Sequence, residues 1–69
     1  MKYITVKFKG TEKRYIYKTR LNLMVGAIYD ITVDNFTTYS NPVSIESVDE
    51  KAPKNYIYAY PIREITNAV

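Results

Sequence analysis

The side chains that most often carry catalysis or bind zinc are missing from this sequence of 69 residues. It contains no cysteine and no histidine, so the usual thiolate and imidazole ligands of zinc are absent. Ser40, Ser44 and Ser47 lack the histidine base that nucleophilic catalysis usually requires, and we interpret them as turn and strand-surface residues. Phosphate-binding loops are rich in glycine, but Gly10 and Gly26 stand alone. The sequence predicts a protein that is not an enzyme and needs no cofactor.

Carboxylates are the remaining candidates for chemistry. Asp30 and Asp34 could approach each other near a strand end, and Asp49 and Glu50 are adjacent in a predicted loop. Acid–base catalysis needs carboxylates with separated proton affinities in a cleft, and so small a domain has little room for one. We interpret these groups as a solvated acidic rim and predict no metal site. The alternative is weak calcium or magnesium binding by Asp30, Asp34 and Asn35, whose side chains offer oxygen ligands.

The charges are distributed unevenly along the chain. Residues 1–20 carry seven basic residues and one acidic residue, a net charge of +6. Residues 21–50 carry five acidic residues and no basic one, a net charge of −5, and residues 51–69 add +2. The modest overall charge of +3 therefore conceals a strongly basic N-terminal segment and an acidic middle.

The basic N-terminal segment is the first candidate binding surface. Cations neutralise phosphates and exposed aromatic rings stack on bases, so this combination suits single-stranded nucleic acid. The candidate nucleic-acid-binding residues are Tyr3, Lys7, Lys9, Lys13, Arg14 and Lys18. Two other interpretations stay open. The cations could pair with the acidic middle, within the chain or between subunits, or lysines on the first strand could protect an exposed sheet edge from aggregation.

Tyrosine is unusually frequent, with 8 copies. Tyr56, Tyr58 and Tyr60 alternate with apolar residues, so they share one face of a predicted strand. If that face is outward, the three rings form an apolar patch of the kind that marks a protein interface. If it is inward, the rings fill the core and the hydroxyls lie at its rim. The same alternatives hold for Tyr15 and Tyr17.

Hydrophobic runs of period two, separated by turn residues, predict the strands that position these groups. The predicted strands are residues 2–9, 14–19, 27–33, 43–48 and 56–60. Val48 is out of step with Val43 and Ile45, which predicts a bulge near Ser47. Residues 36–40 form either a loop or the return of a short hairpin. Residues 62–69 either continue the last strand, which we favour, or form a short C-terminal turn.

The segment of residues 21–26 is predicted to be irregular and to pack Leu21, Leu23 and Val25 into one end of the core. Together with the strand that follows, through Ile31, it resembles the entry to a strand in small SH3-like β-barrels. The preceding tyrosine-rich hairpin, Tyr15-Ile16-Tyr17, is similar to those of bacterial and bacteriophage barrels of that kind.

The resemblance covers roughly the first two-thirds of the chain and concerns the fold alone. It implies an all-β, five-stranded antiparallel SH3-like barrel, with an OB-like barrel as the alternative, in a single domain over residues 1–69. Closure of such a barrel would remove exposed sheet edges. These barrels bind nucleic acids, peptides and proteins alike, so the resemblance assigns no residue a role. The pocket for proline-rich peptides is not expected, because the chain has no tryptophan.

We therefore expect a small non-enzymatic binding protein that contacts nucleic acid through its basic N-terminal hairpin. The alternative is a protein–protein interaction module, either a homodimer or a phage-type inhibitor or accessory factor, that uses the tyrosines of residues 56–60. No targeting or membrane-spanning segment is evident. We expect a cytoplasmic protein of a bacterium or phage-infected cell, with no membrane partner and no small-molecule substrate.

Overall fold

The regular structure of the described residues consists of β-strands. The computed structural model describes residues 1–34, 37–38, 42–52 and 62–69, with the backbone alone at 37–38. Within these residues the strands are β1 (Lys2–Phe8), β2 (Arg14–Thr19), β3 (Ile28–Tyr29), β4 (Ile31–Val33), β5 (Thr37–Thr38), β6 (Val43–Asp49) and β7 (Glu64–Ala68). In this part of the chain no helix has the length and apolar character needed to span a membrane.

The seven strands form one mixed sheet in the order β3-β6-β1-β2-β7-β4-β5, which curls into a half-barrel. The fold is therefore all-β and compatible with an SH3-like or OB-like barrel. The predictions of five strands and of purely antiparallel pairing are wrong.

The β1–β2 hairpin forms as the alternating pattern predicts, and the bounds of β2 are those expected. The turn between the strands contains Gly10, whose φ of 87° lies in the left-handed region that favours glycine. Thr11 closes the turn, because its backbone N–H and its hydroxyl both donate to the carbonyl oxygen of Phe8, at 3.1 and 3.2 Å.

The bulge predicted near Ser47 is confirmed. On the β1–β6 ladder Thr5 pairs with Ser47 and Val6 pairs with Ile45, which leaves Glu46 as the extra residue. The extra residue restores the inward direction of Val48, which packs against the core opposite Ile4.

The predicted strand of residues 27–33 is divided at Asp30 into β3 and β4. Asp30 exchanges two backbone hydrogen bonds of 2.9 Å with Val69. On one side of this point β3 pairs with β6, and on the other side β4 pairs with β7 and β5. One extended segment thus serves two regions of the sheet, which raises the strand count. The β4–β5 pairing supports the short-hairpin alternative for residues 36–40.

The C-terminal tail forms a strand rather than a helical turn. β7 pairs in parallel with β2, with Lys18 opposite Glu64 and Thr19 opposite Ile65. The backbone N–H of Lys18 also donates to the carbonyl oxygen of Arg63 at 3.0 Å. This parallel pair is the reason that the sheet is mixed. The predicted strand of residues 56–60 lies outside the described residues.

The core is a single cluster of mostly β-branched side chains. Its buried members are Ile4, Val6, Tyr17, Ile31, Val33, Val43, Ile45 and Ile65. Leu21 and Leu23 pack against the cluster as predicted, but the prediction for Val25 is wrong, since 62% of that residue is exposed. The chain turns at Gly26, which has a φ of 88° and donates to the carbonyl oxygen of Ile45 at 2.8 Å. The turn thus leaves the side chain of Val25 at the surface.

Thr19 is the buried polar residue among those described, and it joins β2 to β7. Its hydroxyl donates to the carbonyl oxygen of Ile65 at 2.8 Å and accepts the N–H of Leu21 at 3.1 Å. A hydroxyl that bonds both segments fixes the parallel pairing and the entry to the irregular segment of residues 21–26.

Thr19→Val is therefore expected to destabilise the fold by about 1–3 kcal/mol, because it removes the partner of a buried carbonyl group and of a neighbouring N–H while keeping the shape of the side chain. Thr5→Val is the matched control, since Thr5 lies in β1 on the outer surface of the same sheet. Urea unfolding of both variants measures the difference. Equal stability of the two variants would contradict this role of Thr19.

Candidate nucleic-acid interface

Four of the predicted nucleic-acid-binding residues lie on one face of the β1–β2 hairpin. The antiparallel register places Tyr3 opposite Lys18 and Lys7 opposite Arg14. All four alternate with inner residues such as Ile4 and therefore point away from the core. We call Tyr3, Lys7, Arg14 and Lys18 the hairpin outer face. Its two cross-strand pairs are four residues apart along β1, a separation of roughly 13 Å.

The other two predicted residues, Lys9 and Lys13, lie at the tip of the hairpin. Both are exposed and belong to the connection between β1 and β2. They adjoin the end of the outer face that carries Lys7 and Arg14. The interpretation of the lysines as protectors of a sheet edge is wrong for β1, because this strand lies between β6 and β2 in the interior of the sheet.

Two cations of the outer face are paired with carboxylates. The Nζ of Lys7 lies 3.7 Å from the Oε2 of Glu12, and the Nη2 of Arg14 lies 3.5 Å from the Oε1 of Glu46. Glu46 is the bulge residue of β6 and reaches Arg14 across β1. The expected pairing between the basic hairpin and the acidic middle of the chain is thus present at Arg14. Both pairs lie at the surface with one partner partly covered, and surface pairs contribute only about 0–1 kcal/mol.

A groove adjoins the tip of the hairpin, with a volume of about 240 Å³. We call it the tip groove; its lining residues are Lys7, Phe8, Lys9, Gly10, Ile28, Pro42 and Ser44. Three segments build it. The N–H of Lys9 donates to the carbonyl oxygen of Pro42 at 2.9 Å, and Ile28 of β3 pairs with Ser44 of β6. Ile28 is 65% exposed beside this groove.

Two aromatic rings mark the same end of the half-barrel. Phe8 and Tyr15 form an edge-to-face pair with ring centroids 5.4 Å apart and an interplanar angle of 81°. They continue the inner rows of β1 and β2 beyond the core, so Tyr17 is 7% exposed whereas Tyr15 is 41% exposed. The alternatives for these two tyrosines are thereby settled: Tyr17 fills the core and Tyr15 lies at its rim.

Sequence reasoning missed Phe8, Ile28 and Pro42 as parts of a surface. The period-two pattern does carry a signal for Phe8, because the inner row of β1 reaches the hairpin tip at this residue. No comparable local signal exists for Ile28 and Pro42, which meet Phe8 only through the pairing of β3, β6 and β1.

Asp34 anchors β4 to β7 away from the tip. Its Oδ2 accepts a hydrogen bond from the Nε of Arg63 at 2.8 Å, and its Oδ1 accepts one from the N–H of Glu64 at 2.9 Å. The Arg63 hydrogen bond, followed by that of Glu64, holds the pKa of Asp34 below the ordinary value of an aspartate. The residue has a φ of 54°, in the left-handed region, which aspartate and asparagine tolerate better than most residues.

The same contacts bear on the alternative of a calcium or magnesium site. Both carboxylate oxygens of Asp34 are engaged by donors, and Asn35 lies outside the described residues. Over the ranges that the structure describes, no group of three or more acidic, cysteine or histidine side chains could hold a metal ion.

The Asp34 anchor predicts a pH dependence of stability. Because the folded-state pKa of Asp34 is lowered, its contribution is complete above the pKa of the unfolded chain and is lost as the pH falls through the folded-state value. Asp34→Asn is expected to remove about 1 kcal/mol at neutral pH, the size of a partly screened ion pair with a backbone hydrogen bond.

The measurement is the free energy of unfolding from neutral pH down through the range in which aspartates titrate. The difference between wild type and Asp34→Asn should shrink on acidification. Asp30→Asn, at an exposed aspartate nearby, is the matched control for the loss of one carboxylate. A constant difference between wild type and Asp34→Asn at all pH values would contradict the assignment.

The predicted interface tyrosines, Tyr56, Tyr58 and Tyr60, lie outside the described residues. Comparison with known proteins found no protein-family model, no curated protein and no solved structure that matches this chain. The candidate interface is therefore argued from the geometry and the charges of the chain itself.

Proposed function

We propose that this protein is a small non-enzymatic binding protein of SH3-like barrel type that contacts nucleic acid through the basic β1–β2 hairpin. The main supporting observation is the register of that hairpin. It places Lys7 beside Arg14 on the outer face, next to the exposed Lys9 and Lys13 of the tip. Four cations in one region provide a phosphate-binding surface at one end of the half-barrel.

The carboxylates near these cations do not argue against an anionic ligand. Glu12 and Glu46 are held to Lys7 and Arg14 only by exposed ion pairs of 3.7 and 3.5 Å. Exposed pairs of this kind are weak, so a phosphate can replace either carboxylate at small cost. Lys9 and Lys13 belong to no salt bridge found in the described part of the chain.

Charge reversal of the hairpin should abolish binding. The variant carrying Lys7→Glu, Lys9→Glu and Arg14→Glu removes three phosphate contacts and adds repulsion. We expect wild-type affinity for an oligothymidylate to fall steeply with salt, by about 0.7 in log K per log unit of salt for each phosphate contact, and we expect the triple variant to show no binding. Fluorescence anisotropy at a series of salt concentrations measures both effects.

Lys51→Glu is the single-residue control for charge reversal away from the tip, because Lys51 is exposed and follows β6, whose end pairs with Tyr3 rather than with the tip. It should retain most of the affinity. The proposal is wrong if wild-type protein binds neither single-stranded nor double-stranded DNA or RNA at low salt.

Removal of the competing carboxylate should strengthen binding. Glu46→Gln frees Arg14 from its ion pair, and we expect a gain of about two- to fivefold in affinity, the equivalent of an exposed pair of up to ~1 kcal/mol. Glu50→Gln makes the same change of charge at an exposed residue just after β6. Equal gains in the two variants would indicate an effect of net charge alone and would contradict a specific role of Arg14.

A protein partner is the second candidate function. Met24 and Val25 are 70% and 62% exposed and adjacent in the chain, and adjacent exposed apolar side chains are typical of interaction surfaces. The partner would be a second copy of the chain or another protein, and the interface would include the tyrosines of residues 56–60. A dimeric mass in light scattering, lost on Tyr58→Ala and insensitive to salt, would favour this alternative.

A further inference from the structure

The tip groove combines an apolar lining with cations on its rim. Its apolar lining residues are Ile28, Pro42 and Phe8, of which Phe8 turns its ring toward Tyr15 and the core, and its basic lining residues are Lys7 and Lys9. A ligand that matches this groove has a flat, largely apolar group close to negative charge. An unpaired nucleotide has both features, since its base stacks on apolar or aromatic side chains while its phosphate binds a lysine.

We propose that the tip groove binds one unstacked base of a single-stranded nucleic acid and that Lys7 and Lys9 bind the adjoining phosphates. This inference rests on the proposed function and goes further, because it names the kind of nucleic acid and the place of its base.

The size of the groove agrees with one side group of a polymer. Its volume of about 240 Å³ lies below the roughly 300–1,000 Å³ that is typical of small-molecule sites. Such a groove can accept a single base, while most of the affinity comes from phosphates bound along the hairpin. The Ser44 hydroxyl adds a polar group at the wall, where it donates weakly to the carbonyl oxygen of Lys7 at 3.5 Å.

The geometry also favours single strands over duplexes. A base that is paired and stacked within a duplex cannot enter a groove without the cost of extrusion. The cations of the outer face, in contrast, can contact the phosphates of either form. Probes with and without unpaired bases therefore distinguish a base bound in the groove from phosphates bound by the cations.

The test compares three fluorescent probes of about 12 nucleotides, a length within the ~4–16 nucleotides that small barrels cover. They are an oligothymidylate, an abasic strand with the same phosphates but no bases, and a duplex. For wild-type protein we expect the oligothymidylate to bind about tenfold more tightly than the abasic strand, which corresponds to one stacked base. The duplex, whose bases are paired and stacked, should gain nothing from the groove, so its affinity should be the same for wild type and for a groove variant.

Ile28→Thr removes the apolar contact while keeping a β-branched residue in β3. It should reduce the advantage of the oligothymidylate over the abasic strand to about twofold or less and leave affinity for the abasic strand unchanged. Val25→Thr is the matched control, because Val25 is similarly exposed but does not line the groove. It should leave all three affinities unchanged.

The outcomes separate the inference from the proposed function. Equal affinities of wild type for the oligothymidylate and the abasic strand would overturn the base-binding groove and leave the phosphate-binding hairpin standing. Absence of binding to all three probes at low salt would overturn the proposed function itself. Competition by a glutamate-rich peptide as effective as that by unlabelled oligothymidylate would also overturn the inference, since the groove would then show no preference for a base.

Discussion

The inward packing of β1 is the constraint on which the rest of the structure depends. β1 has a neighbouring strand on each side, and Ile4 and Val6 are fully buried. A shift of one residue would expose both and bury Lys7 instead. With this register set, Tyr3 and Lys7 must face outward, and Phe8 must emerge at the hairpin tip. The candidate surface is thus a consequence of how the core is packed.

The bulge at Glu46 lets β6 pair with β1 while its apolar residues face the core. β6 supplies Val43, Ile45 and Val48 to the inner side, and these residues cannot all face inward in a regular strand. The bulge residue Glu46 changes the alternation so that all three can face inward. The side chain of Glu46 itself lies within reach of Arg14. The bulge that packs β6 onto the core therefore also places a carboxylate beside Arg14, which reduces the positive charge of the hairpin outer face. Lys9 and Lys13 at the tip belong to no salt bridge among the described residues, so their charge remains to attract an anionic ligand.

The parts of the fold that the sequence predicts are those specified by local pattern. The bounds of β2, the outward direction of Lys7 and the bulge follow from period-two alternation over a few residues. The division at Asp30 and the parallel pairing of β7 do not, because they depend on backbone hydrogen bonds to Val69 and between Lys18 and Arg63. Such bonds join residues far apart in the chain and leave no side-chain pattern.

The same limit applies to the candidate site. The pairing of Lys7 with Arg14 follows from a hairpin that is evident in the sequence, and so its shared face was predictable. The tip groove was not, because Ile28 and Pro42 reach Phe8 only after three segments have been brought together by the sheet. Val25 shows the converse error, since its spacing from Leu21 and Leu23 suggested burial. A turn at Gly26 directs it outward.

Three tyrosines among the described residues lie in or at the edge of a small core. Tyr15 and Tyr17 are successive inward-facing residues of β2. Tyr17 is buried, whereas Tyr15, which is two residues nearer the hairpin tip, lies at the rim of the core against Phe8. Tyr29 is intermediate: it packs against the core while its hydroxyl accepts the N–H of Met24 at 3.3 Å. A small core cannot enclose all of its apolar side chains. Tyrosine suits its edge, because the ring covers apolar side chains while the hydroxyl bonds to the backbone. Tyrosine at such a rim stabilises the fold and leaves part of its ring exposed to solvent, as at Tyr15.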